Sequence, residues 1–143
     1  MGIFKIGEVF LVDDDDIVKM VATKILKSIG FENTIYQFEN GKTAIVEIKK
    51  RVADQTLDPS VGPILILLDI NMPIMDAWGF LDEFTKLDQD IKDQFLISII
   101  TSSIDSNDRN MAFSYPDVKD YITKPLSGKH VIDFLTKHQL YEQ

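Results

Sequence analysis

Ile64-Leu65-Ile66-Leu67-Leu68-Asp69, residues 64–69, is an unbroken apolar run that ends on a carboxylate. A run with no polar alternation reads as a strand buried on both faces, the mark of a parallel sheet. Upstream, Val9-Phe10-Leu11-Val12 has the same form and runs into four aspartates, Asp13 to Asp16. Behind it, Ile17, Val21, Ile25 and Ile29 recur every four residues with Lys19, Lys24 and Lys27 between them. That spacing predicts an amphipathic helix buried along this stripe and stopped by Gly30. Residues 34–38 predict a second strand. Asn40 is a cap for a second helix with Ala44, Ile45, Ile48 and Val52 inward. Between Arg51 and Pro63 the periodicity is lost, and Asp58-Pro59 and Gly62-Pro63 predict a long loop.

Downstream of Asp69 the alternation continues. A third helix is expected around 78–87, with Trp78, Phe80, Leu81 and Phe84 as core or helix-surface residues. A strand follows over 95–100, ending in Thr101-Ser102-Ser103, then a short helix over 105–113. A fifth strand is expected over 118–123 and a fifth helix over 127–138, with His130 and His138 as surface residues. Alternating strands and helices predict an α/β fold, a doubly wound five-stranded parallel sheet with right-handed crossovers.

The length, 143 residues, suits one domain able to bury a core without disulfides or a structural zinc. Cysteine is absent, which excludes disulfide scaffolds, thiol nucleophiles and cysteine-bound zinc or iron–sulfur sites. Lys and Arg total 15 against 23 Asp and Glu, a net charge of -8, so binding along a nucleic-acid backbone is not expected. No apolar run resembles a signal peptide or a membrane span. A soluble, cytoplasmic, single-domain protein is expected.

Ligands of such sheets bind beyond the carboxyl ends of the strands. Asp13, Asp14, Asp69, Thr101 and Lys124 all fall there. Three crowded carboxylates repel one another, and a hard divalent cation with oxygen ligands relieves the repulsion. The cluster contains no serine–histidine pair, which argues against a Ser-His-Asp hydrolase. Gly41-Lys42-Thr43 lacks the upstream glycine of a phosphate-binding loop. An aspartate beside a metal, a hydroxyl and a lysine can instead act as a carboxylate nucleophile toward a phosphoryl group.

Four segments in order carry a resemblance: Phe10-Leu11-Val12-Asp13-Asp14; Leu68-Asp69-Ile70-Asn71-Met72-Pro73-Ile74-Met75-Asp76; Thr101-Ser102; and Tyr121-Ile122-Thr123-Lys124-Pro125. Over nearly its whole length the chain resembles the receiver domain of two-component response regulators, especially the single-domain chemotaxis type. The resemblance implies a flavodoxin-like (βα)5 sheet of strand order 2-1-3-4-5 and a single receiver domain over residues 1–143 without an output domain. It implies that Asp69 is the phosphoacceptor, taking a phosphoryl group from a sensor histidine kinase or histidine phosphotransfer protein. Asp13, Asp14, Asp69 and the Asn71 carbonyl would bind Mg²⁺. Thr101 would be the switch hydroxyl, Lys124 the partner of a phosphoryl oxygen, and Tyr121 the aromatic switch. The Lys124-Pro125 bond is expected to be cis by the same analogy.

Departures from the family pattern are Ala77 where glycine is frequent, the 51–63 loop and the short fourth helix. The product would be a conformational state read by an unknown downstream protein, not a turned-over substrate. A monomer or weak dimer is expected, with no nucleic acid or membrane as partner. Two other functions remain open. A haloacid-dehalogenase-type phosphatase would use Asp13 and Asp15 as its spaced pair, though Asp16-Ile17 stand where it needs glycine and threonine. A phosphorylation-independent interaction module is the third reading.

Overall fold

In the computed structural model, which describes residues 2–143, the elements run in the expected alternation. They are β1 (Ile3–Phe4), β2 (Glu8–Val12), α1 (Asp16–Ser28), β3 (Ile35–Phe38), α2 (Gly41–Asp54), β4 (Ile64–Leu68), α3 (Ala77–Thr85), α4 (Gln89–Lys92), β5 (Phe95–Thr101), α5 (Ser106–Phe113), β6 (Val118–Thr123), α6 (Gly128–Lys137) and β7 (Tyr141–Glu142). Strands β3-β2-β4-β5-β6 form one five-stranded sheet in that order, and every neighbouring pair is parallel. Counting only these five strands, the order is 2-1-3-4-5, that of the flavodoxin-like fold.

Successive strand residues face opposite sides of the sheet, and two cores result. Phe10, Val12, Ile66, Leu68, Ile97 and Ile99 pack with Ala44, Ile45 and Ile48 of α2 and with Phe80, Leu81 and Phe84 of α3. Val9, Leu11, Leu65, Leu67, Leu96 and Ile100 pack on the other side with Ala22 and Leu26 of α1 and Val131, Phe134 and Leu135 of α6. Phe10, Phe80 and Phe84 are among the largest fully buried side chains. Each contributes about 2–3 kcal/mol by leaving water. Trp78 is partly buried, and its indole stacks on the Tyr115 ring, 6.2 Å between centroids and 2° from parallel.

Five local expectations need correction. In α1 the buried residues are Lys19, Ala22 and Leu26, whereas Ile17 and Val21 are 69% and 42% exposed. The helix carries two adjacent four-residue stripes, and docking against the sheet selects the one through Val18, Ala22 and Leu26. The predicted loop is shorter, because α2 continues through Arg51 to Asp54 and ends at Gln55 in a left-handed cap. The short α4 had no periodicity to announce it. Strands β1 and β7, missed because each is two residues long, pair antiparallel and join the two ends of the chain. His138 is half-buried against Phe134, 4.8 Å between rings, and its Nε2 has no hydrogen-bond partner.

Candidate functional site

The rim forms because strand pairing runs one residue past several strand ends. The Asp13 amide donates to the Phe38 carbonyl, the Asp69 amide to Val12, and the Lys124 amide to Thr101, at 3.0, 2.9 and 2.7 Å. These bonds fix three backbone positions before any side chain is considered. The side chain of Asp13 is held in turn by the Asp15 amide, which donates to Oδ1 at 2.9 Å. Asp15 caps α1, accepting from the Ile17 and Val18 amides. Its Oδ1 is therefore engaged by the helix, which argues against the Asp13/Asp15 pair of a haloacid-dehalogenase-type site. Asp76 caps α3 through the Gly79 amide at 3.0 Å and so closes the 70–76 loop.

That loop rests on α2 at Gly41, whose amide donates to Met75 O at 2.9 Å. A Cβ at Gly41 would lie 3.0 Å from both the Met75 and Asp76 carbonyls, so the backbones meet there only through glycine. Ala77 opens α3 fully buried, its amide donating to Ile70 O at 3.0 Å. The alanine is accommodated without disturbing the loop. Lys124-Pro125 is cis, as expected.

Carboxylate oxygens of Asp13, Asp14 and Asp69 lie within 4.8 Å of one another. Asp13 and Asp69 are buried and Asp14 is exposed. Lys124 Nζ lies 2.9 Å from Asp13 Oδ2 and 3.5 Å from Asp69 Oδ1. Burial, and then the charge of Asp13, push the Asp69 carboxyl up to about 6 in spite of Lys124. For Lys124, burial works to lower the pKa, but the hydrogen bond to Asp13 and the charges of Asp69 and Asp13 outweigh it, so the net shift is upward. Lys124 is thus engaged by both buried carboxylates. A hard cation fits this donor set of clustered carboxylate oxygens.

Thr101 ends β5 at 1% exposure, and its Oγ1 accepts from the Ser103 amide at 3.1 Å. Tyr121 is turned inward at 8% exposure, and its hydroxyl donates to Ser103 O at 3.4 Å. Asn71 is exposed on the loop beyond Asp69. Asp13, Asp14, Asp69, Thr101 and Lys124 therefore lie at the carboxyl edge of the sheet, with Asn71 on the loop beyond it and Tyr121 two residues inside the end of β6. Ser103, which links two of them, was not among those singled out from the sequence. Its connections depend on how the turn after β5 folds, and no spacing rule reveals them.

Ile74 has a positive φ of 69°, and the next amide, Met75, donates back to Pro73 O at 2.7 Å. This is a tight three-residue turn in a left-handed conformation that a β-branched side chain disfavours. The side chain is 86% exposed, so burial does little to offset the strain. Ile74→Gly is expected to raise stability by about 1 kcal/mol, the relieved strain less the entropy of the freer unfolded chain. A rise in the urea midpoint with an unchanged slope would show it. A fall would mean that the side chain makes a stabilising contact.

Among known proteins, the family model of the response regulator receiver domain matches residues 9–136. The chain is 32% identical over 123 residues to the sensor histidine kinase CheAY of Helicobacter pylori, covering 86% of this chain and 14% of that protein. It is 28% identical over 137 residues to the two-component response regulator ORR41 of Oryza sativa subsp. japonica, covering 95% and 97% of the two chains. A two-component response regulator from Cytophaga hutchinsonii superposes with a TM-score of 0.79 at 29% identity, over 92% of this chain and 96% of that one. The chain spans less than a third of the length of the first curated relatives it matches, 30% and 14%.

Proposed function

The chain belongs to the response regulator receiver domain family, a signalling module of two-component systems, and from that premise we propose that it accepts a phosphoryl group on Asp69. The observation that carries the reading is one carboxylate, Asp69, 8% exposed, set between Asp13, Asp14 and Lys124. An Asp69 oxygen attacks phosphorus, the bond from phosphorus to the donor histidine nitrogen breaks, and an acyl phosphate forms. Asp13, Asp14, Asp69 and the Asn71 carbonyl would hold Mg²⁺, which neutralises charge on the phosphoryl oxygens when bound. Lys124 shifts part of its pairing from Asp13 to a phosphoryl oxygen. Thr101 turns its hydroxyl toward the same group, and Tyr121 follows.

The donor would be a sensor histidine kinase or a histidine phosphotransfer protein. Exposed apolar residues of α1 support this, two of them, Ile17 and Val21, from the stripe that the sequence pattern assigned to the core. Ile17, Met20 and Val21 are 69%, 49% and 42% exposed. Ile17 and Val21 border an apolar cleft of about 380 Å³ that runs past Lys124 to Pro125 and Leu126. An apolar partner surface seated there would bring its histidine beside Asp69. A downstream protein would read the face made by α5, β6 and α6. No helix of the described residues is long and apolar enough to cross a membrane, which suits a cytoplasmic site of action.

The test is incubation with acetyl phosphate, with and without Mg²⁺, read by intact mass and peptide mapping. One phosphoryl group on Asp69, formed only with Mg²⁺, is the expected result. Mg²⁺ alone should change Trp78 fluorescence, since α3 follows directly on the Asp69 loop. No adduct, or an adduct on another residue, would overturn the assignment.

A further inference from the structure

Lys19 is the one lysine of α1 that the fold buries. It is 3% exposed, whereas Lys24 and Lys27 face solvent. A lysine rarely lies that deep unless its charge is paired. Its Nζ is 3.3 Å from Asp16 Oδ1, but the Asp16 carboxylate is 89% exposed, and a carboxylate that water already solvates is weak compensation. The helix adds to the cost, because an ammonium beside an α-helix N-terminus meets the positive end of its dipole. The larger compensation lies in the acidic rim. Lys19, Asp13 and Asp69 line one small cavity of about 10 Å³, the room of about one water, and its other walls are apolar. Apolar walls screen little, so the charge of Lys19 acts through space on both buried carboxylates. Lys124 reaches the same pair by direct contact from the end of β6.

We propose that Lys19 is a resident counter-charge of the rim, one that ties the divalent cation to the phosphoryl group. A cation held by Asp13, Asp14 and Asp69 is repelled by Lys19. A phosphoryl group on Asp69 brings negative charge, which Lys19 attracts. The same ammonium therefore weakens binding of the ion by itself and favours the ion and the phosphoryl group together. It acts by its field from the α1 side and needs no contact with the reacting atoms. This rests on the reading above, in which the rim holds Mg²⁺ and Asp69 accepts the phosphoryl group.

The experiment uses the full chain and calorimetry, first with Mg²⁺ alone and then with beryllofluoride at saturating Mg²⁺ as the phosphoryl mimic. Lys19→Met keeps the apolar stem and loses the charge. It is expected to bind Mg²⁺ about tenfold more tightly and beryllofluoride about threefold more weakly, the anion carrying half the charge of the cation. Opposite signs from one variant are the signature of a charge, since damaged packing would weaken both. Lys19→Gln, neutral but of different shape, should repeat both shifts and carries the test if the methionine variant does not fold. Lys19→Arg restores the charge and should return both affinities to those of the natural protein. Lys24→Met changes the net charge equally on the exposed side of α1 and should move neither. Unchanged affinities in the neutral Lys19 variants, shifts of the same sign, or equal shifts in Lys24→Met would overturn the counter-charge, beside a natural protein that binds both ligands. A natural protein that binds neither Mg²⁺ nor beryllofluoride would instead remove the reading of the site, and the counter-charge with it.

Discussion

Asp69→Asn is expected to abolish acyl-phosphate formation and, at neutral pH in chelated protein, to raise stability by up to about 3 kcal/mol. The two effects have one origin. The amide keeps the shape of the carboxylate but is a poor nucleophile, and it carries no charge into a buried, like-charged site. The pH dependence follows from the direction of the shift. The folded Asp69 carboxyl titrates at about 6 and the unfolded one near 3.8, so the folded state binds the proton more tightly. Its contribution to stability is fully present below about pH 4 and is lost as pH rises through about 6. The variant should lack this decline. Its advantage in thermal midpoint should open between these pH values and close again in acid. A phosphoryl adduct of undiminished yield on the variant would move the nucleophile elsewhere.

Lys124→Ala is expected to keep the fold but cost about 2 kcal/mol without metal, because two buried carboxylates lose their shared cation. Lys124 is 19% exposed on its side chain, so some of the loss is recovered by water. Loss of the ammonium should also raise the Asp69 carboxyl further, since Lys124 works to lower it. Millimolar Mg²⁺ should restore most of the stability, and Mg²⁺ should bind the variant more tightly because Lys124 no longer competes for Asp13. Phosphoryl uptake from acetyl phosphate should slow by roughly 10- to 100-fold, as for loss of one charge-stabilising group. The chemical-shift response at Tyr121 should shrink even when Asp69 is modified. Equal stability with and without Mg²⁺ would show that Lys124 does not balance the acidic pair.

The sheet and the acidic rim were legible in sequence for a common reason. Buried parallel strands need unbroken apolar runs, and the runs from Val9 and from Ile64 end directly on Asp13 and Asp69. The helices were less legible. α1 is apolar over a wide arc, and a period of four identifies a stripe without saying which stripe meets the sheet. Ile17 and Val21 were therefore assigned to the core and lie outside it. Residues whose contacts depend on a turn, such as Ser103 between Thr101 and Tyr121 or Ile74 in its left-handed conformation, leave no periodic trace. The two end strands are too short to carry a pattern, and their pairing is a tertiary event.

That end pairing also has a mechanical side. β1 and β7 run antiparallel, with Ile3 opposite Glu142 and Phe4 opposite Tyr141. A tensile load applied at Ile3 and Glu142 meets the clasp at its open end and peels it one residue pair at a time, at low force. Tension then passes through residues 5–7 to β2, a strand hydrogen-bonded on both sides, and through residues 138–140 to α6. The clasp is therefore expected to part first under load, ahead of the rim that holds Asp13 and Asp69.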